Sequence, residues 1–317
     1  MTWALYWLAW MGAIGGPVAL FLVARDARRR RAGRWSMARR AITAAGAAVW
    51  MLSVWAFLIE PAQLTVRTVT VASAQWRGPP LRIGLISDTH VGGPHVDPAR
   101  IARVVERMNA ARPDLVVLLG DYVGGHKAAA AHTPAYRRAV AEGIAAFGGL
   151  AAPLGVVAVH GNHDWWYDGP ATERAMRDAG VAMLENDALR VARGEDAFWL
   201  IGLAEETSER SQPDFAAALR TVPPDADVIA LAHRPDVFFN APGRVALTLA
   251  GHSHCGQVNL PLAGRLMHAS AGAARWPCGA YDEGGRKLYV TGGVGVSILP
   301  VRFNQPPEIV LLTLTAD

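Results

Sequence analysis

Aspartate, histidine and asparagine gather in five short blocks of this chain. They are Ser-Asp-Thr-His at 87–90, Gly-Asp at 120–121, Gly-Asn-His-Asp at 161–164, Ala-His-Arg-Pro-Asp at 232–236 and Gly-His-Ser-His at 251–254. Carboxylates, imidazoles and an amide carbonyl form a mixed oxygen and nitrogen donor set, suited to Mn, Fe, Zn or similar ions. No thiolate is needed, which argues against a zinc finger. Two ions about 3.5–4 Å apart need one carboxylate between them, and together they can clamp a phosphate while activating water. Asp121, flanked by Gly120, Gly124 and Gly125, suits that shared position. Taken singly, 161–164 is also ordinary turn sequence and His233 an ordinary core or surface histidine. The order of all five blocks, each after an apolar run, points to a metal site.

Those runs are the elements that must position the blocks. Residues 81–86, 115–119, 156–159, 228–231 and 246–250 are rich in Val, Leu and Ile without helical spacing, and read as buried strands of an α/β domain. Each block then opens the loop at a strand's carboxyl end, where open α/β sheets place their ligands. Glycines 120, 161 and 251 let the backbone turn beside the ions. Further strands are expected at 64–71, 288–290 and 309–315. Asp97-Pro98 predicts a helix start, with Ile101, Val104, Val105 and Met108 on one face. Helices are also expected at 136–147 and 172–179, and a loop or helix start at 125–133.

The amino-terminal part differs in kind. Residues 1–24 and 41–59 carry no charge; at 1.5 Å per residue they reach about 36 and 29 Å, enough for a hydrocarbon core of about 30 Å. Between them, residues 25–40 hold eight arginines and one aspartate. The positive-inside rule keeps that loop cytoplasmic and returns the chain to the other side. The expected organisation is a membrane anchor at 1–60 and a catalytic domain at 61–317, set in a cell inner membrane with the domain periplasmic or otherwise extracytoplasmic. Arg39-Arg40-Ala41-Ile42 is similar to a twin-arginine export signal, although topology-setting charge is the favoured reading. The net charge of +4 belongs to the loop, since acidic residues outnumber basic ones elsewhere. No nucleic-acid partner is expected. Cys255 and Cys278 are expected to be free thiols, with a disulfide between them as the alternative in an oxidising compartment.

The blocks resemble the calcineurin-like metallophosphoesterase superfamily, whose pattern is D-x-H, G-D, G-N-H-D/E, H and G-H-x-H. The likeness runs from about residue 81 to the end. Residues 251–261 (GHSHCGQVNLP) and 293–314 (GVGVSILPVRFNQPPEIVLLTL) are similar to its membrane-associated YaeI/YkuE-type branch. That resemblance implies a four-layer α/β/β/α sandwich behind the two transmembrane helices, and two divalent metal ions as cofactors. Asp88, His90, Asp121 and His254 would hold one ion, and Asp121, Asn162, His233 and His252 the other. His163 would be the catalytic histidine at the leaving oxygen, with Asp164 orienting it. Cys255 stands where the branch usually has glycine, and Ala204-Glu205-Glu206 replaces an aspartate-rich stretch. The implied activity is hydrolysis of a phosphodiester or pyrophosphate, lipid-linked as in UDP-2,3-diacylglucosamine hydrolysis in lipid A synthesis. Two alternatives stand beside it: small soluble phosphodiesters or phosphoproteins as substrates, and a non-catalytic metal-binding scaffold. Trp165, Trp166 and Tyr167 are either an aromatic cluster at the site mouth or core packing.

Overall fold

The computed structural model describes residues 2–29, 37–194, 196–265 and 267–317. The middle of the expected basic loop, residues 30–36, lies outside them. Two helices come first, α1 (Thr2–Arg29) and α2 (Met37–Val54), the latter running on through one π turn at Trp55–Ile59 and one 3₁₀ turn at Glu60–Ala62. They contain apolar stretches at Trp3–Val23 and Ala41–Ala62, each long enough to cross a membrane and almost wholly exposed.

The rest of the chain alternates. Strands β1 (Thr65–Ala72), β2 (Leu81–Ile86), β3 (Leu115–Leu118), β4 (Val156–Ala158) and β5 (Ala182–Met183) are followed by β6 (Asp187–Arg193), β7 (Asp196–Gly202), β8 (Val228–Leu231) and β9 (Leu247–Ala250). A small hairpin, β10 (Asn259–Leu260) with β11 (Gly264–Arg265), precedes β12 (Gly279–Glu283), β13 (Arg286–Val290) and β14 (Glu308–Thr315). The helices between them are α3 (Pro98–Ala111), α4 (Pro134–Ala145), α5 (Asn162–Asp178) and the short α6 (Phe215–Ala218) and α7 (Ala271–Arg275). Two six-stranded sheets result, ordered β1-β14-β2-β3-β4-β5 and β12-β13-β9-β8-β7-β6. In the first, β2 to β5 run parallel and β14 pairs antiparallel with β2. In the second, β7, β8, β9 and β13 run parallel between antiparallel edges β6 and β12.

Side-chain alternation explains why the sheets stack. Leu81, Ile83 and Leu85 of β2, with Leu115 and Val117 of β3, meet Leu200, Ile229, Leu231, Leu247 and Leu249 of the second sheet in one buried cluster. The other face of β3, Val116 and Leu118, packs on Ile101, Val104 and Met108 of α3 and Val140 and Ile144 of α4. Helix packing covers the second sheet's outer face through Ala218, Val222 and Val237. Strands buried on both faces read as unbroken apolar runs, and the layers are α/β/β/α. The expected cap is present: Asp97 accepts the Arg100 N–H at 2.7 Å, and Pro98 opens α3. Expected boundaries shift by a few residues, except that the helix expected at 172–179 begins ten residues earlier, at Asn162. Asp168 is extended inside it, and its carboxylate accepts the Ala171 N–H and caps a fresh helical segment, whose first turn tolerates Pro170.

Candidate metal centre

The loops after β2, β3, β4, β8 and β9 deliver the five blocks to one point at the carboxyl ends of both sheets. Close approach of backbone to backbone makes this possible. At Gly251 a Cβ would overlap Ser87 Oγ and lie 2.6 Å from Asp88 Oδ2; at Gly120 (φ +88°) it would sit 2.5 Å from the Gly161 nitrogen. Five of the candidate ligands in these loops adopt the left-handed region without being glycine: Asp88 (φ 52°), His90 (48°), Asp121 (56°), His252 (65°) and His254 (49°). Such backbone is costly for side-chain-bearing residues and clusters at functional sites.

Asp121 occupies the middle. Its Oδ2 lies 3.3 Å from His233 Nε2, 3.6 Å from His90 Nε2 and 3.8 Å from His163 Nε2. His90 Nε2 faces His254 Nε2 at 3.1 Å, and His254 Nε2 is 3.4 Å from Asp88 Oδ1. On the other flank His233 Nε2 faces His252 Nδ1 at 3.1 Å and Asn162 Oδ1 at 3.2 Å. All eight side chains, His163 included, are buried. Ligands about 2.1 Å from a common ion stand about 3.0–3.4 Å from one another, so most of these separations suit donors gathered around cations. Two separate groups, Asp88–His90–His254 and Asp121–His233–His252, could each hold an ion; a third, His90–Asp121–His163, shares one residue with each and joins them.

The remaining ring nitrogens fix the rings. His233 Nδ1 donates to the Leu119 carbonyl at 2.7 Å, which turns Nε2 inward. His163 Nδ1 donates to the Gly125 carbonyl at 2.6 Å and likewise points Nε2 at the centre. Such outer hydrogen bonds set the tautomer of a ligating or catalytic imidazole. Burial, and then the neighbouring His163, lowers the His90 pKa to about 3. Burial and adjacent positive groups also hold His252 and His254 well below the usual imidazole value. Neutral imidazoles are the form that binds metal. Burial opposes a charged Asp121, but His233, His163 and His90 outweigh it and keep the carboxyl well below its ordinary range. His233 shows the converse: burial disfavours its cation, yet Asp121 and Asp88 lift it to about 10. Neutral His90, His252 and His254 stand around a firmly ionised Asp121, and the hold of Asp121 and Asp88 on a His233 cation shows that the site draws positive charge.

Two expectations need correction. Asp164 does not touch His163. Its carboxylate accepts four backbone N–H groups, from Asp121 (2.9 Å), Tyr122 (2.9 Å), Val123 (3.2 Å) and Gly161 (2.8 Å), and so pins the Asp121 loop to the start of α5. Cys255 and Cys278 are not free thiols but a disulfide, with Cα atoms 4.9 Å apart. Ser253 Oγ donates to the Pro277 carbonyl at 2.7 Å and brings the two segments together beside His254. The aromatic trio divides. Trp165 is buried beside His160 and under the Arg210 guanidinium, whereas Trp166 is 40 % exposed with its ring 4.8 Å from His163.

A cavity of about 180 Å³ leads outward from Asp121, Asn162 and His163 past Trp166 and Met267. His126, unmarked by any sequence block, lines it too, its ring 4.6 Å from that of His163. The only signal for it was its place immediately after the Gly124-Gly125 pair.

The profile of the calcineurin-like phosphoesterase family matches residues 81–256, the stretch that carries all five blocks. The chain is 26 % identical over 280 residues to the metallophosphoesterase YkuE of Bacillus subtilis, covering 88 % of this chain and 93 % of that one. It is 30 % identical over 220 residues to the phosphodiesterase YaeI of Escherichia coli, covering 64 % and 71 %. A transmembrane protein with a metallophosphoesterase domain from Danio rerio is 29 % identical over 248 residues, covering 74 % of this chain but 53 % of its own length. Members of this family are metal-dependent phosphoester hydrolases. With its loops, donor set and profile in agreement, this chain belongs to the calcineurin-like phosphoesterase family.

Proposed function

We propose that residues 61–317 are a phosphodiesterase using two divalent ions, and that residues 1–60 anchor it in an inner membrane with the catalytic part on the extracytoplasmic side. The convergence of Asp88, His90, Asp121, Asn162, His233, His252 and His254 on one buried point, with His163 beside them, carries the reading. In it, Asp88, His90 and His254 would hold one ion, Asn162, His233 and His252 would hold the other, and Asp121 would serve both. When bound, the ions would supply Lewis acidity, activating water and neutralising charge on the phosphate oxygens.

The chain's own groups do the rest. His163 keeps its Nδ1 proton on the Gly125 carbonyl, so Nε2 is the atom that meets substrate. Burial lowers the His163 pKa, and an anionic phosphate bound beside Nε2 would favour the proton that it donates to the leaving oxygen. Asp164 holds the Asp121 backbone still while this happens. Burial of the donors keeps competing water out and strengthens each of these interactions.

A lipid-linked phosphoester is the substrate class that fits an anchored enzyme. Two features support export: the arginine-rich loop between the spans and the Cys255–Cys278 disulfide, a bond of oxidising compartments. Turnover of bis-p-nitrophenyl phosphate, p-nitrophenyl phosphate and UDP-2,3-diacylglucosamine with added Mn²⁺ or Zn²⁺ tests the activity. His163→Ala should lower kcat by about 10²–10⁴-fold with metal content intact, and less for a good leaving group. Loss of the same size for good and poor leaving groups would make His163 a phosphate binder instead. A reporter active only after export, fused after Asp317, should be active; a silent fusion would place the domain in the cytoplasm.

A further inference from the structure

The two apolar helices are locked to the catalytic layer. The Arg302 N–H donates to the Ala56 carbonyl at 2.9 Å. Buried Glu60 accepts the N–H groups of Asn304 and Gln305 at 2.9 and 2.6 Å and the Trp55 indole at 2.7 Å. From α3, the Arg100 guanidinium donates to the carbonyls of Ala62 and Gln63. The Trp50 indole donates to the Gly12 carbonyl at 2.9 Å, tying α1 back along α2 so that its amino end returns to the sandwich.

That end arrives at the mouth of the metal centre. The Tyr6 ring stands edge-on to His95, 5.0 Å between centroids and 87° between planes. Trp3 lines a hollow of about 420 Å³ together with His90, His126, Lys127, Tyr136 and His163. Around Tyr6 the rings of Trp3, Trp7 and Trp10 lie within 5.6–6.4 Å, while Ile14, Val18, Phe21 and Leu22 further along are bare aliphatic or phenyl surface. Aromatic girdles of this kind mark the level where hydrocarbon gives way to head groups. The hollow therefore opens at head-group depth, with Lys127 at hand for an anion. At the anchor's foot, Arg103 and Arg107 line a second hollow with residues 62–65.

We propose that the amino end of α1 is one wall of the substrate cleft. The cleft admits the phosphate ester of a lipid lying in the adjacent leaflet: its head group reaches the metal centre past Lys127 while its acyl chains stay beside Trp3, Tyr6 and Trp10. This deepens the phosphoesterase reading and rests on it. The test uses the full chain in phosphatidylcholine vesicles with two probes that share one leaving group, dioleoylphosphatidyl-p-nitrophenol and bis-p-nitrophenyl phosphate. Trp3→Ala and Tyr6→Ala should each lower the ratio of kcat/KM, lipid over soluble, by about tenfold, the scale of a lost aromatic contact. Phe21→Ala, at the far end of α1, should leave that ratio within about twofold of the parent, because it lies far from the mouth. An unchanged ratio in both mouth variants, or a parent protein that hydrolyses only the soluble probe, would overturn the proposal. A parent that hydrolyses neither with metal present would overturn the phosphoesterase reading instead. A second readout needs no turnover. The native cysteines are tied to each other, so a short bis-maleimide should join Tyr6→Cys to His95→Cys in the same vesicles. No cross-link would show that α1 does not wall the cleft.

Discussion

Asp164→Asn separates two roles for one carboxylate. The side chain is fully buried, and its two oxygens share four backbone N–H donors. Asparagine keeps one oxygen for two of them and turns an amide N–H₂ toward the other two. Hydrogen bonds to a charged acceptor contribute about 1.5–3 kcal/mol each, so losing two costs about 3–6 kcal/mol. Against a total stability of about 5–15 kcal/mol, the domain should still fold but melt about 10 °C lower. Asp164→Ala strands all four donors and should not fold. The control is Asp97→Asn, a helix cap where asparagine serves about as well as aspartate. Calorimetry of the three proteins in chelator, with metal content measured afterwards, decides the matter. If Asp164→Asn melts within about 1 kcal/mol of the parent and instead reproduces the kinetic pattern of His163→Ala, the carboxylate acts through the histidine and the loop-pinning account fails.

Asp121→Ala should lose most of both ions, because its carboxylate joins the two donor groups; one ion retained at full occupancy in elemental analysis would refute the shared position. Cys278→Ser, or reduction of the parent, should cost about 3 kcal/mol by freeing the loop closed across 23 residues. It should also weaken metal binding through the adjacent His254; a reduced protein that melts and binds metal like the oxidised one would make the bond incidental.

Much of the centre was legible because its residues follow short apolar strands, where spacing along the chain translates directly into position at a sheet edge. Asp88, Asp121 and His233 are each found two or three residues beyond a strand end for that reason. What escaped depended on approaches between distant segments. Cys255 and Cys278 pair because the Ser253–Pro277 contact joins two loops, which no local pattern announces. Asp164 looked like a partner of its neighbour His163, but α5 starts at Asn162 and turns the carboxylate back toward the Asp121 loop. The same helical start explains the division of Trp165 from Trp166, since successive helical residues point about 100° apart. Tyr6 beside His95 is visible only once α1 is folded back on α2.

The left-handed backbone at Asp88, His90, Asp121, His252 and His254 has a consequence for folding as well as for chemistry. Each such residue costs about 1 kcal/mol or more against an ordinary conformation, and five together rival the whole stability of a small domain. Ligands that bind only the folded chain repay such a debt by mass action. Chelation should therefore act on this protein as a mild denaturant as well as an inhibitor, loosening first the loops that follow β2, β3 and β9.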